Sequence, residues 1–570
     1  MSKLKKLYTK AGENLSQIPW NEYPRPQLKR DSFFCLNGTW DFAVTKTVVP
    51  PTEYDNTILV PFAPESLLSG IGEVFPEKSI LWYRKNFSLP EGFRRARVLL
   101  HIGASDQYTA VFLNGMPLAE HSGGYDPITV DITAALRAEN TLVLRVTDRL
   151  DTAELPYGKQ CRKRGGMWYT PVSGVWQTVW IESVEEHYIR RLKIHTEQNA
   201  AEITTEGVSE GTVTVKTPEG ELVAPLTGGK AKITLSNPHF WSPESPYLYE
   251  FIVTSGAERV ESYFALRTLT IETINGVPRL CLNGKPYFFH GLLDQGYWSD
   301  GLLTPADPTE FERDILVAKA LGFNMLRKHI KIEPELFYYA CDKLGMVVFQ
   351  DMVNNGRYSF IRDTALPTVG LRWLPDRWLH RNTVSREAFI RSMDRTVSQL
   401  ENHPCICYWT IFNEGWGQFC STDLYRRLRI LDDTRFIDTA SGWFTGGETQ
   451  VESRHVYFRK VKLRVGKKPL VLSEFGGYSH APEGHVFNTE KAYGYGKCET
   501  REDFVKALRS LYLEQIVPLA EQGLSAAVYT QLSDVEDEIN GLVSYDRKVL
   551  KVKPEEFADI SEKLCQKQLS

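Results

Sequence analysis

The sequence predicts three modules in order, a jelly-roll β-sandwich, an immunoglobulin-like β-sandwich and a closed (β/α)8 barrel, on three observations. Up to about Thr270 the chain reads as short alternating strands broken by turn residues, the pattern of antiparallel sheets. Beyond Ile271, apolar strands alternate with amphipathic helices, and parallel strands require such crossovers. Two aromatic-rich or apolar runs, Tyr408-Trp409-Thr410-Ile411-Phe412-Asn413-Glu414 and Pro469-Leu470-Val471-Leu472-Ser473-Glu474, end abruptly in carboxylates, as expected where buried parallel strands reach the mouth of a barrel.

The first module is drawn over residues 1–183. Its strands include Arg97-Val98-Leu99-Leu100-His101-Ile102 and Thr141-Leu142-Val143-Leu144-Arg145-Val146, separated by turns such as Phe112-Leu113-Asn114-Gly115 and Ser122-Gly123-Gly124. The second, residues 184–272, is shorter and rich in Thr and Glu, with the length and spacing of a seven-strand sandwich. In the third, residues 273–570, Asn275-Gly276 and Asn283-Gly284 bracket a hairpin strand. Barrel strands follow near Tyr287–Leu292, Phe323–Arg327, Met346–Asp351, Ile406–Asn413, Phe436–Ser441, Arg454–Phe458, Leu470–Glu474 and Ser525–Gln531. Between them, helices are expected over Pro308–Leu321, Pro334–Leu344, Ser385–Asn402, Thr422–Asp432 and Arg501–Gln522.

Bulk properties narrow the function classes. A chain of 570 residues exceeds one ordinary core. Its formal net charge of −4 provides no global attraction to nucleic acid or to an anionic membrane. The amino terminus lacks an apolar h-region and no apolar run is long enough to span a bilayer, so a soluble cytoplasmic protein is expected. Nine scattered cysteines fit reduced thiols better than a disulfide framework. Cys405 and Cys407 share one strand face near His403; core packing is the expectation over a metal site. Gly207-Val208-Ser209-Glu210-Gly211 satisfies the serine-hydrolase pattern but sits in an all-β segment, without the strand-to-helix elbow that chemistry needs.

Two carboxylates facing each other across a barrel mouth can split a glycosidic bond, one protonating the leaving oxygen and the other attacking the sugar carbon. Flat aromatic faces, abundant at 12% of the chain, suit both sugar stacking and core packing. Neither role needs a cofactor or metal, and none is expected. The partner expected is a carbohydrate, with self-association left open.

Further residues carry a resemblance. Tyr23-Pro24-Arg25-Pro26-Gln27, Leu36-Asn37-Gly38-Thr39-Trp40, Trp82-Tyr83-Arg84, Ser173-Gly174-Val175-Trp176-Gln177 and Phe240-Trp241-Ser242-Pro243-Glu244 are similar to segments of glycoside hydrolase family 2, the β-galactosidase, β-glucuronidase and β-mannosidase family. The stretch Glu401-Asn402-His403-Pro404-Cys405 running to Asn413-Glu414 resembles that family's acid/base signature. The resemblance implies Glu414 as general acid/base, Glu474 as nucleophile, and retention of configuration. It further implies Asn413 as donor to the sugar 2-hydroxyl, Arg327 as the cation beside Glu474, and Tyr457 as a hydrogen-bond donor to Glu474. Trp298, Trp416 and Tyr529 are expected as stacking walls for the sugar.

The chain departs from the family pattern where the sugar would be read. It has His290-Gly291-Leu292-Leu293-Asp294-Gln295 after the first strand and Arg327-Lys328-His329 at the second, which makes Asp294 and His329 candidate sugar contacts. A late loop reads Asn540-Gly541-Leu542 in place of the Asn-x-Lys that receives a uronate carboxylate in glucuronidase-type members. The acidic run Asp534-Val535-Glu536-Asp537-Glu538 is expected at the mouth, with Asp534 and Glu536 accepting from sugar hydroxyls or holding a cation, and with negative charge there disfavouring an anionic sugar. A neutral, β-galactoside-like substrate is therefore the expectation. β-Glucuronide, β-mannoside and α-L-arabinofuranoside are the alternatives, with a carbohydrate-binding protein without turnover as the rival outside catalysis.

Overall fold

In the computed structural model, the described residues are 4–366, 376–442, 444, 447–457 and 459–566. Near the amino terminus, a four-stranded sheet (Phe34–Cys35, Val179–Val184, Arg97–Ile102, Ile128–Asp131) faces a six-stranded one (Asn56–Val60, Gly38–Thr45, Ile80–Phe87, Asn140–Thr147, Tyr108–Leu113, Met116–Ser122). Alternation sets the faces. Along Asn140–Thr147, Leu142, Leu144 and Val146 point inward and pack with Trp40, Phe42 and Leu100 into one closed core.

Seven antiparallel strands follow, hydrogen-bonded in the order Arg191–Glu197, Ala200–Glu206, Lys230–Thr234, Gly220–Thr227, Glu210–Thr217, Tyr249–Ser255 and Glu258–Phe264. A single pair, Thr227 with Lys230, links the two halves, which enclose a separate core of Ile203, Val213, Phe251, Val253 and Val260. Ser209 lies in the turn before Glu210–Thr217 and its carbonyl accepts from Gly229, so the serine-hydrolase pattern has no elbow here. At the next junction Asn275 and Gly276 both adopt positive φ, 51° and 81°, the conformation a two-residue hairpin turn needs. They join Leu269–Ile274 to Val277–Leu282 in antiparallel register.

Eight parallel strands then form the barrel: β1 (Phe289–Asp294), β2 (Met325–Lys328), β3 (Val347–Asp351), β4 (Ile406–Asn413), β5 (Phe436–Ser441), β6 (Glu452–Val456), β7 (Leu470–Gly476) and β8 (Leu524–Thr530). They are ordered 5-4-3-2-1-8-7-6. Between β5 and β6 the described residues form no regular ladder; Gln450 instead bonds both the N–H and the carbonyl of Ile437. Phe458, expected as the end of β6, lies outside the described residues. β1 begins two residues later than expected because Lys285–Pro286 and Tyr287 pair with the preceding hairpin. The barrel strands carry buried aromatic rings, with Phe349 stacked on Tyr408 at 4.2 Å.

The expected helix Arg501–Gln522 is three consecutive segments, with a wide turn over Tyr512–Ile516 between Arg501–Leu511 and Val517–Gln522. Pro518 explains it, since its ring cannot accommodate an α-helical carbonyl four residues back. Cys405 and Cys407 are buried, and His403 Nδ1 pairs with Asp342 at 2.7 Å, which agrees with packing at this strand.

Candidate active site

Glu474 is held at the mouth by β7, whose strand continues two residues beyond it. Arg327, at the end of β2, donates to its Oε1 at 2.9 Å, and the Tyr457 hydroxyl donates to its Oε2 at 2.5 Å. Burial pushes the carboxyl up, but His455, Arg327 and His329 nearby, with the tyrosine hydrogen bond, outweigh it and hold Glu474 down at about 2. The group is an ionised carboxylate throughout the neutral range. Arg327 is itself fixed by Asp351 (Nε to Oδ1 3.1 Å), the Ser473 carbonyl (3.0 Å) and Ser441 Oγ (3.0 Å). Its planar fork thus ties together the ends of β2, β3, β5 and β7.

Glu414 is placed differently. The chain leaves β4 at Asn413 and turns at once, with Glu414 in the left-handed region at φ 51°, a conformation that costs an L-residue about 1–2 kcal/mol. Its Oε1 meets His455 Nδ1 at 2.8 Å, and the same nitrogen lies 3.5 Å from Glu474 Oε2. One oxygen from each carboxylate and the His455 ring nitrogen all lie within 4.8 Å of one another. Asn413 Oδ1 accepts from Arg327 and Ser441, both at 2.9 Å, while its buried Nδ2 has no partner among the described residues. The amide is therefore held with its donors left over for a ligand hydroxyl.

The other expected contacts divide. Tyr457 bonds Glu474 and stacks on Tyr495 at 3.8 Å, making one wall. Trp416 is buried beside His329 and stacks on Trp168, ring centroids 5.2 Å apart, with its indole Nε1 unpartnered among the described residues. His329 acts through Asp351, bonding its Oδ2 at 2.9 Å.

Four expectations need correction. Trp298, in the loop that follows β1, is buried and packs against Phe311 and under Arg547, 4.1 Å from its ring. Tyr529 lies behind Glu474 against Phe475 and Tyr512, fully buried. Asp294 is consumed by Lys328 at 2.5 Å. The acidic run is neither solvated nor an open negative field: Asp534 pairs with Lys551 at 2.7 Å, and Glu536 and Asp537 pair with Arg164 at 3.2 and 3.0 Å. Burial pushes Asp534 up to about 6 in spite of Lys551.

Arg164 belongs to a long loop of the first sandwich that crosses the barrel mouth. Tyr157 anchors it on the β3 side, its N–H donating to the Asn354 carbonyl at 3.0 Å and its hydroxyl to the Gly356 carbonyl at 2.8 Å. At the β8 side Tyr169 OH donates to Glu538 Oε2 at 2.5 Å and the Thr170 N–H to Glu536 at 3.0 Å. The sequence reading missed this loop, and it missed His455. For His455 a signal existed: in a strand it shares a face with Tyr457. For the loop, only the cluster Lys159, Arg162, Lys163 and Arg164 hinted at a charged partner.

A jelly roll, an immunoglobulin-like sandwich and a barrel with paired strand-end carboxylates define a glycosidase architecture, and sequence comparison agrees. Residues 274–548 match the glycosyl hydrolases family 2 TIM barrel domain, 182–267 the glycosyl hydrolases family 2 domain, and 75–197 the glycosyl hydrolase 2 galactose-binding domain-like domain. The chain belongs to glycosyl hydrolase family 2, a family of O-glycosyl hydrolases. Among relatives, the β-glucuronidase of Felis catus is 25% identical over 473 residues, 73% of this chain and 68% of that protein. A β-galactosidase of Thermoanaerobacter pseudethanolicus is 25% identical over 376 residues, 61% of this chain and 46% of the longer relative. The solved β-glucuronidase of Ruminococcus gnavus superposes with a TM-score of 0.73 over 96% of this chain and 100% of that one, at 17% identity.

Proposed function

We propose that the protein is a retaining, exo-acting β-glycosidase that removes a terminal uronic acid, with β-glucuronides as the first substrates to test. The observation that carries the retaining part is the spacing of Glu414 and Glu474, whose nearest oxygens lie within 4.8 Å. Retaining pairs stand about 5–5.5 Å apart, whereas inverting pairs leave room for a water at about 6.5–9.5 Å. Glu474, ionised and fixed by Arg327 and Tyr457, attacks the anomeric carbon, while Glu414 protonates the departing oxygen. Glu414, then ionised, takes a proton from the water that releases the sugar from Glu474. Asn413 Nδ2 supplies a donor for the sugar 2-hydroxyl. The loop is tied to the barrel on both its β3 and β8 sides, an arrangement that suits removal of one terminal residue.

The uronide reading is supported by the β-glucuronidases among the relatives and neighbours. It is supported also by the weakening of the argument against an anion, since Asp534, Glu536 and Asp537 of the acidic run are paired with Lys551 and Arg164. A β-galactoside is the second reading, favoured by the β-galactosidase relative and by Asn540, which is fully engaged with Glu538 and Gln531. The deciding experiment is kcat/KM for nitrophenyl β-D-glucuronide, β-D-galactoside, β-D-mannoside and α-L-arabinofuranoside. The uronide reading expects the glucuronide to be favoured at least ~10-fold. A galactoside processed better than the glucuronide overturns it.

A further inference from the structure

We propose that Lys159, carried into the barrel mouth by the first sandwich, is the residue that binds the substrate's carboxylate and so sets its preference for an anionic sugar. The inference rests on the uronide reading and names the residue that would enforce it.

The loop holds Lys159 rigidly. Its carbonyl accepts from the Tyr169 N–H at 3.0 Å, and the preceding Gly158 has φ +69°, with space so tight that a Cβ there would lie 2.8 Å from the Ile330 carbonyl oxygen. Lys159 is only 7% exposed. Its Nζ lies 5.3 Å from the centroid of the Trp416 ring and 5.6 Å from that of Tyr169. Trp416 is the residue beside His329, and the charge of Lys159 contributes, after burial, to lowering the pKa of His329. His329 bonds Asp351, and Asp351 holds Arg327 against Glu474. A chain of contacts through Trp416 and His329 thus links Lys159 to the residues that hold Glu474.

What distinguishes it is the absence of a counter-ion. Around the mouth the other buried cations are all paired: Arg327 with Asp351 and Glu474, Lys328 with Asp294 and Glu333, Lys331 with Glu333, and Lys551 with Asp534. Among the described residues Lys159 Nζ has neither a hydrogen bond nor a carboxylate within 4.0 Å. An ammonium laid against two aromatic faces without a counter-ion leaves its charge available to an anionic ligand. A ligand carboxylate completes the site and is received as a charge-assisted bond. Lys328, next to Arg327 at the end of β2, does not compete, because it is sealed between two carboxylates. Asn540, in the late loop, has both amide atoms engaged.

The test compares wild type, Lys159→Met and Lys159→Arg on nitrophenyl β-D-glucuronide and β-D-galacturonide against the matching β-D-glucoside and β-D-galactoside. The readout is the ratio of kcat/KM for each uronide to its neutral counterpart. In Lys159→Met this ratio should fall about 10–100-fold, the loss of one charge-assisted bond, and Lys159→Arg should recover much of it. Inhibition of the wild type by D-glucuronate should exceed that by D-glucose, and the difference should vanish in Lys159→Met. Two results overturn the assignment: a wild-type uronide preference that Lys159→Met leaves intact, or losses equal for charged and neutral sugars, which mark a structural role. A wild type that favours neutral sugars overturns the uronide reading itself. Should Lys159→Met not fold, Lys159→Gln serves the same comparison.

Discussion

Glu474 and Glu414 sit within hydrogen-bonding reach of the same imidazole yet are built into opposite surroundings. Glu474 lies inside a regular strand and is clamped by Arg327 and Tyr457, with His455 beside it. Glu414 sits just past its strand, in a left-handed turn, with His455 as its hydrogen-bonded side-chain partner. Cations and donors crowd the first and hold it ionised; the second is left lightly held. The contrast teaches that the two chemically identical groups are assigned roles by what surrounds them. A nucleophile needs permanent charge and fixed position, whereas a group that gives and takes a proton must not be locked into one state.

Substitutions should split along this line. Glu474→Gln is expected to abolish turnover by several orders of magnitude on every substrate, because covalent attack is lost. Glu414→Ala should cost about 10²–10⁴-fold on poor leaving groups and much less on dinitrophenyl glycosides, with azide restoring turnover. Uniform losses without azide rescue, measured by steady-state kinetics, would erase the distinction between the two carboxylates.

A subtler break is made at Arg327. With Glu474 held at about 2, protonation of the nucleophile removes activity only as pH falls through that value. Arg327→Gln removes a cause of the depression, so the folded-state pKa rises and kcat/KM should decline at a higher pH on the acid side. An unmoved acid limb in the pH profile would show that Arg327 does not tune Glu474. The smallest effect is expected from Tyr457→Phe, a loss of one bond to a charged group, about 10–100-fold in kcat/KM.

Much of this arrangement was legible in sequence, and the reasons are physical. β4 and β5 fall on the expected residues because fully buried parallel strands read as unbroken apolar runs closed by a polar residue. The carboxylates were visible for the same reason, as charges where such runs stop. Trp298 and Tyr529 misled because aromatic side chains serve core and sugar alike, and only packing tells them apart. Asp534 and Glu536 misled because their neutralising partners, Lys551 and Arg164, lie far away in the chain. Lys159 was invisible as a site residue: it comes from a different module, and nothing local tells a mouth-crossing loop from a surface one.

The claim most exposed to test is that Glu474 is the nucleophile. The enzyme is incubated with 2-deoxy-2-fluoro-β-D-glucuronyl fluoride and, in parallel, with the corresponding galactosyl fluoride, then digested and analysed by mass spectrometry. The account predicts that one of them inactivates the protein and adds a single 2-fluoroglycosyl mass to the peptide containing Ser473-Glu474-Phe475. A glycosyl mass on Glu414, or on any peptide lacking Glu474, would contradict it.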